Sequence, residues 1–222
     1  MTQGSAPLPA KPLLRGWFHA GAAVLSVGAT VGLLLRTRND LVRLLSLLAF
    51  GLSMVELYTV SAIYHIGHWQ GRTRTVLRSL DHANIFVLIA GTYTPICVNV
   101  LTGWLRTTML AIVWSLAAIG AAGSVFTLRF PRWLSSGLYI AMGWVSLISA
   151  PALARLLPRR ALGLLLGGGV LYTVGAVTYA TRKPNPFPRV FGYHEIFHLF
   201  VIAGGASFLV AVWRWVVPFP RR

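Results

Sequence analysis

Apolar residues in this chain come in long unbroken runs, without the alternation of polarity that marks strands. Seven runs approach or exceed the roughly 20 apolar residues that a helix needs to cross a bilayer. They are Gly16–Leu35, Leu44–Ile66, Leu80–Leu101, Thr107–Leu128, Trp133–Ala154, Ala161–Thr181 and Tyr193–Val217. Only a few Asp, Glu, Lys or Arg residues fall inside them: Glu56 in the second, Asp81 at the start of the third, Glu195 near the start and Arg214 near the end of the seventh. The pattern predicts an all-α, polytopic membrane protein, a seven-transmembrane helix bundle. Barrel strands would alternate in polarity, and these runs do not. Residues 1–15 read as a short N-terminal tail, and residues 16–222 as a single seven-helix membrane domain.

Polar residues mark the joints. Arg36, Arg38 and Arg43 are expected in the first connection, Arg72, Arg74 and Arg78 in the second, and Arg106 in the third. Arg129 and Arg132 follow in the fourth, Arg155, Arg159 and Arg160 in the fifth, and Arg182, Lys183 and Arg189 in the sixth. Trp17, Trp69, Trp104, Trp133 and Trp213 lie near run ends, where interfacial anchors belong. The first run is too long for the apolar core of a signal peptide and reads as retained. Pro95 and Pro151 lie within runs and predict kinks. Lys183–Pro188 is the one internal stretch that reads as a linker.

Composition changes the picture in one respect. Of 222 residues, 20 are Lys or Arg and 4 are Asp or Glu, a formal net charge of +16. Such a balance suggests nucleic acid in a soluble protein, but here little soluble surface exists to carry a basic face, so no nucleic-acid partner is expected. The bases are joint residues, ten on each face of a seven-span chain, and the positive-inside rule returns a tie. A single cysteine, Cys97, excludes an intramolecular disulfide framework and any Cys-rich zinc finger.

The scarce acids and the six histidines carry the chemistry. His19 opens the first run, His65 closes the second, His68 follows it, His82 opens the third, and His194 and His198 open the seventh. Starts of odd spans and ends of even spans share one membrane face, so all six belong to one side. His194 and His198 are i,i+4 and can point at one metal ion; Ser61 and His65 share a helix face in the same way. Three imidazoles from His65, His194 and His198 suit a catalytic zinc, which keeps a fourth position open. Asp81 and Ser61 are natural water-holding partners. The plainer alternative is that span-end histidines are wet at the interface and Ser61 bonds its own backbone. Glu56 is nine residues from His65, which places it on the opposite side of its helix; it is expected to be buried and bonded to a neighbour. His68 and His82 read as interfacial, and nothing in the spacing of His19 favours ligation.

Residues 194–198 also fit H-E-x-x-H, the zinc-protease helix in which the glutamate is general base. That match would make the chain an intramembrane metalloprotease with Glu195 as base. No His, Asp, Glu or Cys follows His198, so the third ligand would have to come from upstream.

Three blocks carry a family resemblance: Ser61-Ala-Ile-Tyr-His65, then Leu80-Asp81-His82 leading into Ile89-Ala-Gly-Thr-Tyr-Thr-Pro95, then Gly192-Tyr-His-Glu-Ile-Phe-His198. On these the chain resembles the hemolysin III family, within the progestin and adiponectin receptor superfamily. The resemblance implies a seven-helix bundle in a membrane, with a cytoplasmic N-terminus. It implies a Zn2+ ion near the cytoplasmic face, held by His65, His194 and His198, with Asp81 at a water beside it and Ser61 close by. It also implies hydrolysis of lipid amide or ester bonds, which would make Asp81 and Ser61 catalytic and an acyl lipid the substrate. Asp81 would then serve as general base. The alternative is a non-enzymatic membrane protein in which structural zinc ties helices together and the protein acts on membrane permeability or lipid homeostasis. Receptor members carry a long N-terminal domain; the short tail here fits a bacterial-type member in the plasma membrane.

Overall fold

The computed structural model describes residues 12–126 and 131–220. The tail before Pro12, the expected end of the fourth run at Leu128, and Arg129 lie outside the described residues. Among the described residues there are eight α-helices: α1 (Trp17–Thr37), α2 (Leu41–Ile66), α3 (Gly71–Asn99), α4 (Gly103–Phe126), α5 (Arg132–Trp144), α6 (Ala150–Leu156), α7 (Arg159–Thr181) and α8 (Tyr193–Ala211). A 3-10 turn, Val145–Ile148, joins α5 towards α6, and a π-helical stretch, Val212–Val216, extends α8. Among the described residues the only sheet-like pairing is an isolated bridge between Phe187 and Phe191.

Short connections make sequential helices antiparallel neighbours. α1 packs on α2, α2 on α3, α3 on α4, and α7 on α8; α8 also touches α1, so the first and last helices meet. The α2 N-terminus is capped by Asp40, whose Oδ1 accepts from the Arg43 backbone N–H at 3.1 Å. The Arg43 side chain donates to the carbonyls of Val217 and, at 2.7 Å, Phe219. It thereby satisfies carbonyls at the end of the last helix that have no intrahelical partner.

α3 lies at the centre. Leu88, Ile96 and Cys97 join a core with Leu47, Phe50 and Met54 of α2 and Val212 and Val216 of the terminal stretch. Phe86, Ile89 and Ala90 join a second core with Val113 and Ala117 of α4 and Tyr139 and Met142 of α5. A helix covered on several sides can carry polar groups that neighbours satisfy. Asn99 Nδ2 donates to Ser46 Oγ and to the Pro95 carbonyl, each at 2.8 Å. Thr92 and Thr94 donate to carbonyls one turn back, and Trp114 Nε1 donates to Thr94 Oγ1 at 3.1 Å.

The outer faces are apolar. Val24, Leu25, Val31 and Leu35 of α1, Ile119 of α4 and Leu166 and Val170 of α7 are exposed, a surface suited to lipid and not to water. Among the described residues, five helices are each long and apolar enough to cross a bilayer: α1, α2, α4, α7, and α8 with its extension. α5 with its 3-10 turn and α6 make a sixth if their 54° bend belongs to one crossing. The chain is therefore an integral membrane protein.

Several expectations from the sequence need correction. Arg72, Arg74 and Arg78 are not in a connection: α3 begins at Gly71 and carries all three. The third run, expected from Leu80, is thus the inner part of a 29-residue helix. Arg36, Arg43, Arg106, Arg132, Arg155, Arg159 and Arg160 likewise lie within helices. The fifth run is broken, with Pro151 just inside α6; proline has no N–H to offer the carbonyl four residues back and its ring crowds it. α3, by contrast, runs through Pro95 without interruption. Glu56 does lie away from the site, but it is exposed on the outer face of α2 and is not buried against a neighbour.

Close helix approach depends on glycine at Gly91, where an added Cβ would come 2.7 Å from Ser53 Cβ and 3.3 Å from the Ala49 carbonyl. Gly91→Ala is expected to lower stability by about 1–3 kcal/mol, read as a lower thermal-unfolding midpoint in detergent. Gly163→Ala, where a Cβ would meet nothing within 4 Å, is expected to leave the midpoint unchanged or raise it.

Candidate metal centre

The helix ends bring the chemistry to one end of the bundle. α1 delivers His19 in its first turn, and α2 delivers Ser61 and His65 in its last two. α3 delivers Asp81, and α8 delivers His194 and His198 in its first two turns. The i,i+4 pairs at Ser61/His65 and His194/His198 place their side chains on the inward face of each helix.

His65, His194 and His198 are all buried, and one ring nitrogen from each lies within 4.8 Å of the others. His65 Nε2 is 3.1 Å from His194 Nε2 and 3.5 Å from Asp81 Oδ2. Ser61, 2 % exposed, sits beside the same carboxylate. All five residues named from the sequence are thus brought together. His82 lines the same cavity without joining the three-histidine group, and His68 is exposed.

The residues fit a metal ion. His198 Nδ1 is buried with no hydrogen-bond partner. Such a group costs about 1–3 kcal/mol if left unmet. Neutral imidazoles are ligands for divalent transition metals, and three of them leave room for a further ligand.

The rings open on a cavity of about 370 Å³, within the size range of small-molecule sites. Its polar end holds Ser61, His65, Asp81, His194 and His198. The rest of its wall is mainly apolar, with Leu57, Ile85, Leu88, Ile140, Val201 and Phe208, and also carries the Tyr172 and Thr173 hydroxyls.

Glu195 has a different task from that in a zinc-protease helix. It is 0 % exposed and forms no part of the cavity wall. One oxygen accepts from the Gly192 backbone N–H at 2.7 Å, closing the first turn of α8. The other accepts from the Arg15 side chain, just before α1. Backbone bonds from Leu13 and Leu14 to the carbonyls of Arg189 and Val190 run alongside. Glu195 therefore fixes the start of the helix that bears His194 and His198, and both its oxygens are occupied.

His19 is the residue that spacing missed. Its ring stacks on His198 with centroids 3.8 Å apart and planes 10° from parallel. It lines the cavity, and no hydrogen bond of good geometry reaches either ring nitrogen. The available signal was that all six histidines fall on one predicted face. Arg15 left no comparable trace, because its partner is 180 residues away.

Fold and site together define a class: an all-helical integral membrane protein with a buried three-histidine cluster at one end of its bundle. The chain belongs to the haemolysin-III related family, whose profile matches residues 9–209. It is 38% identical over 208 residues to a hemolysin-3 homolog of Bacillus subtilis (strain 168), covering 91% of this chain and 92% of the relative. It is 35% identical over 202 residues to hemolysin-3 of Bacillus cereus, covering 90% and 89%. It is also 31% identical over 172 residues to a heptahelical transmembrane protein of rice (Oryza sativa subsp. japonica), covering 66% and 72%.

Two outcomes are expected. The purified protein should hold one divalent transition metal ion per chain by elemental analysis, and His65→Ala and His198→Ala should each lose it; unchanged metal in both would refute the cluster as the ligand set. Arg15→Ala should destabilise the fold by about 3 kcal/mol, because it leaves Glu195 buried without its cation. Glu195→Gln, which keeps an oxygen for Gly192, should retain the metal.

Proposed function

We propose that this chain is a seven-span, zinc-dependent hydrolase of lipid amide or ester bonds. The observation that supports this most is the juxtaposition of the histidine cluster and Asp81 with a cavity whose depth is apolar. α3 is taken as the central third span and the bent α5–α6 unit as the fifth. The rice relative is itself named heptahelical. The N-terminus and the site are assigned to the cytoplasmic side of a bacterial plasma membrane on the family resemblance, since the basic residues divide evenly.

His65, His194 and His198 would hold the ion. Zinc so held supplies a Lewis acid for the scissile carbonyl. Asp81 takes a proton from the attacking water as the new carbon–oxygen bond forms. It then returns that proton to the leaving nitrogen or oxygen as the acyl bond breaks. The Ser61 hydroxyl, beside Asp81, donates a hydrogen bond to the developing oxyanion. The apolar depth takes the acyl chain and keeps bulk water from the reacting atoms. Arg15 and Glu195 hold the start of α8, and His19 holds the face of His198, so the ligand rings keep their orientation.

One observation favours a second reading, a purely structural metal. α2 and α8 are not among the closely packed helix pairs, so an ion held by His65, His194 and His198 would tie them. Fatty-acid release from ceramide-like lipids and phospholipids by the zinc-loaded protein separates the two. Hydrolysis requires release that Asp81→Ala lowers by about 10²-fold or more with zinc content kept. No release from any lipid, or equal release by Asp81→Ala, sinks the mechanism. A chelator that lowers thermal stability with no lipid turned over establishes the structural reading.

A further inference from the structure

The cavity wall on α3 is a single stripe. Arg74, Arg78, Asp81, His82, Ile85, Leu88 and Ile89 all line the cavity, and at 100° per residue they fall within an arc of about 120°. Their order along the helix is a chemical gradient. Two exposed arginines come first. Asp81 lies about 4.5 Å further along the axis than Arg78 and about 10 Å further than Arg74, at 1.5 Å per residue. Apolar residues follow. A third guanidinium, Arg132 at the start of α5, joins the same wall. It donates to Tyr193 Oη at 3.0 Å and lies 5.3 Å over the Tyr179 ring, which holds it in place.

None of these three cations has a carboxylate partner among the described residues. Arg15, the other arginine of the wall, is taken up by Glu195. The mouth is therefore positive, the middle holds the histidines and Asp81, and the depth is apolar. A neutral lipid would leave three guanidinium groups unmet at the mouth. A phosphate would satisfy them, since guanidinium forks match phosphate oxygens two at a time.

We propose that the cavity takes an acyl lipid with an anionic headgroup. Its phosphate would be held by Arg74, Arg78 and Arg132, its acyl carbonyl would lie beside Asp81, and its chain would fill the apolar depth. The lipid as occupant follows from the continuity of charge and apolar wall on one helix face. Its role as substrate rests on the hydrolase reading above; its binding does not.

The test compares binding of phosphatidylglycerol with diacylglycerol of the same chains, to the full-length protein in neutral detergent, by native mass spectrometry. Phosphatidylglycerol is expected to bind about ten-fold or more tightly. Arg74→Gln/Arg78→Gln is expected to erase that preference. Arg159→Gln/Arg160→Gln, which removes the same charge at the opposite end of the bundle, is expected to keep it. Arg132→Gln, an independent variant should the double one fail to fold, is expected to weaken the preference. Inorganic phosphate is expected to compete poorly, having no acyl chain. Equal binding of the two lipids overturns the proposal. So does a preference that survives both mouth variants, one lost equally in the control, or displacement of the lipid by inorganic phosphate at equal concentration. Fatty-acid release is measured in parallel. Selective binding without release refutes the hydrolase reading alone, and release with equal binding of both lipids refutes the anionic preference alone.

Discussion

Burying imidazole rings inside an apolar bundle is the constraint on which the rest of the structure depends. Each ring brings two nitrogens that lose water, and apolar neighbours return nothing for them. Ring nitrogens of His65 and His194 face each other, His65 also faces Asp81, and His198 Nδ1 remains unmet. Such a cluster collapses or spreads unless its backbone supports are rigid. The supports are visible. Glu195 closes the first turn of α8 and locks it to Arg15, and the chain before α1 is laid against the carbonyls of Arg189 and Val190. The stack of His19 on His198 adds a face-to-face support from a third helix. One residue, Glu195, thus links the N-terminal segment to both histidines of α8.

The charge imbalance follows from the same economy. Four carboxylates serve the whole chain. Asp40 caps α2 and pairs with Arg43, Glu195 fixes α8, and Asp81 faces the histidines. Glu56 stands apart on the outer face of α2. No acids remain to neutralise the arginines at the cavity mouth. An unmatched base at a membrane surface is inexpensive, because anionic lipid headgroups and water both reach it.

Much of this was legible in the sequence, and the reasons are physical. Long apolar runs report helices directly, so α1, α2, α7, and α8 with its extension begin and end within a few residues of expectation. The i,i+4 spacings report a shared face, so Ser61/His65 and His194/His198 pointed inward together. Long-range partners leave no such period. Arg15 finds Glu195, and His19 finds His198, only after the first and last helices meet. The start of α3 was misplaced because charge was read as the end of a helix. Arginine is a good helix former, and Arg72, Arg74 and Arg78 extend the helix beyond its apolar part. Glu56 was misread for the converse reason: an acid within an apolar run suggested burial, whereas the apolar face of a membrane helix points outward as well.

α3 unites these points. An isolated helix in lipid must be apolar all round. α3 is wrapped by α2, α4, α5 and the terminal stretch, so Trp114 can donate to Thr94, Asn99 Nδ2 can donate to Ser46, and a wall of the cavity can hold Asp81. Its low apolarity is thus a consequence of its central position. The same centrality lets one helix face run from Arg74 and Arg78 past Asp81 to Leu88. A peripheral helix would present Asp81 to lipid tails, where a carboxylate is costly. The helix that looks least like a membrane span is therefore the one able to carry the charged stripe of the cavity wall.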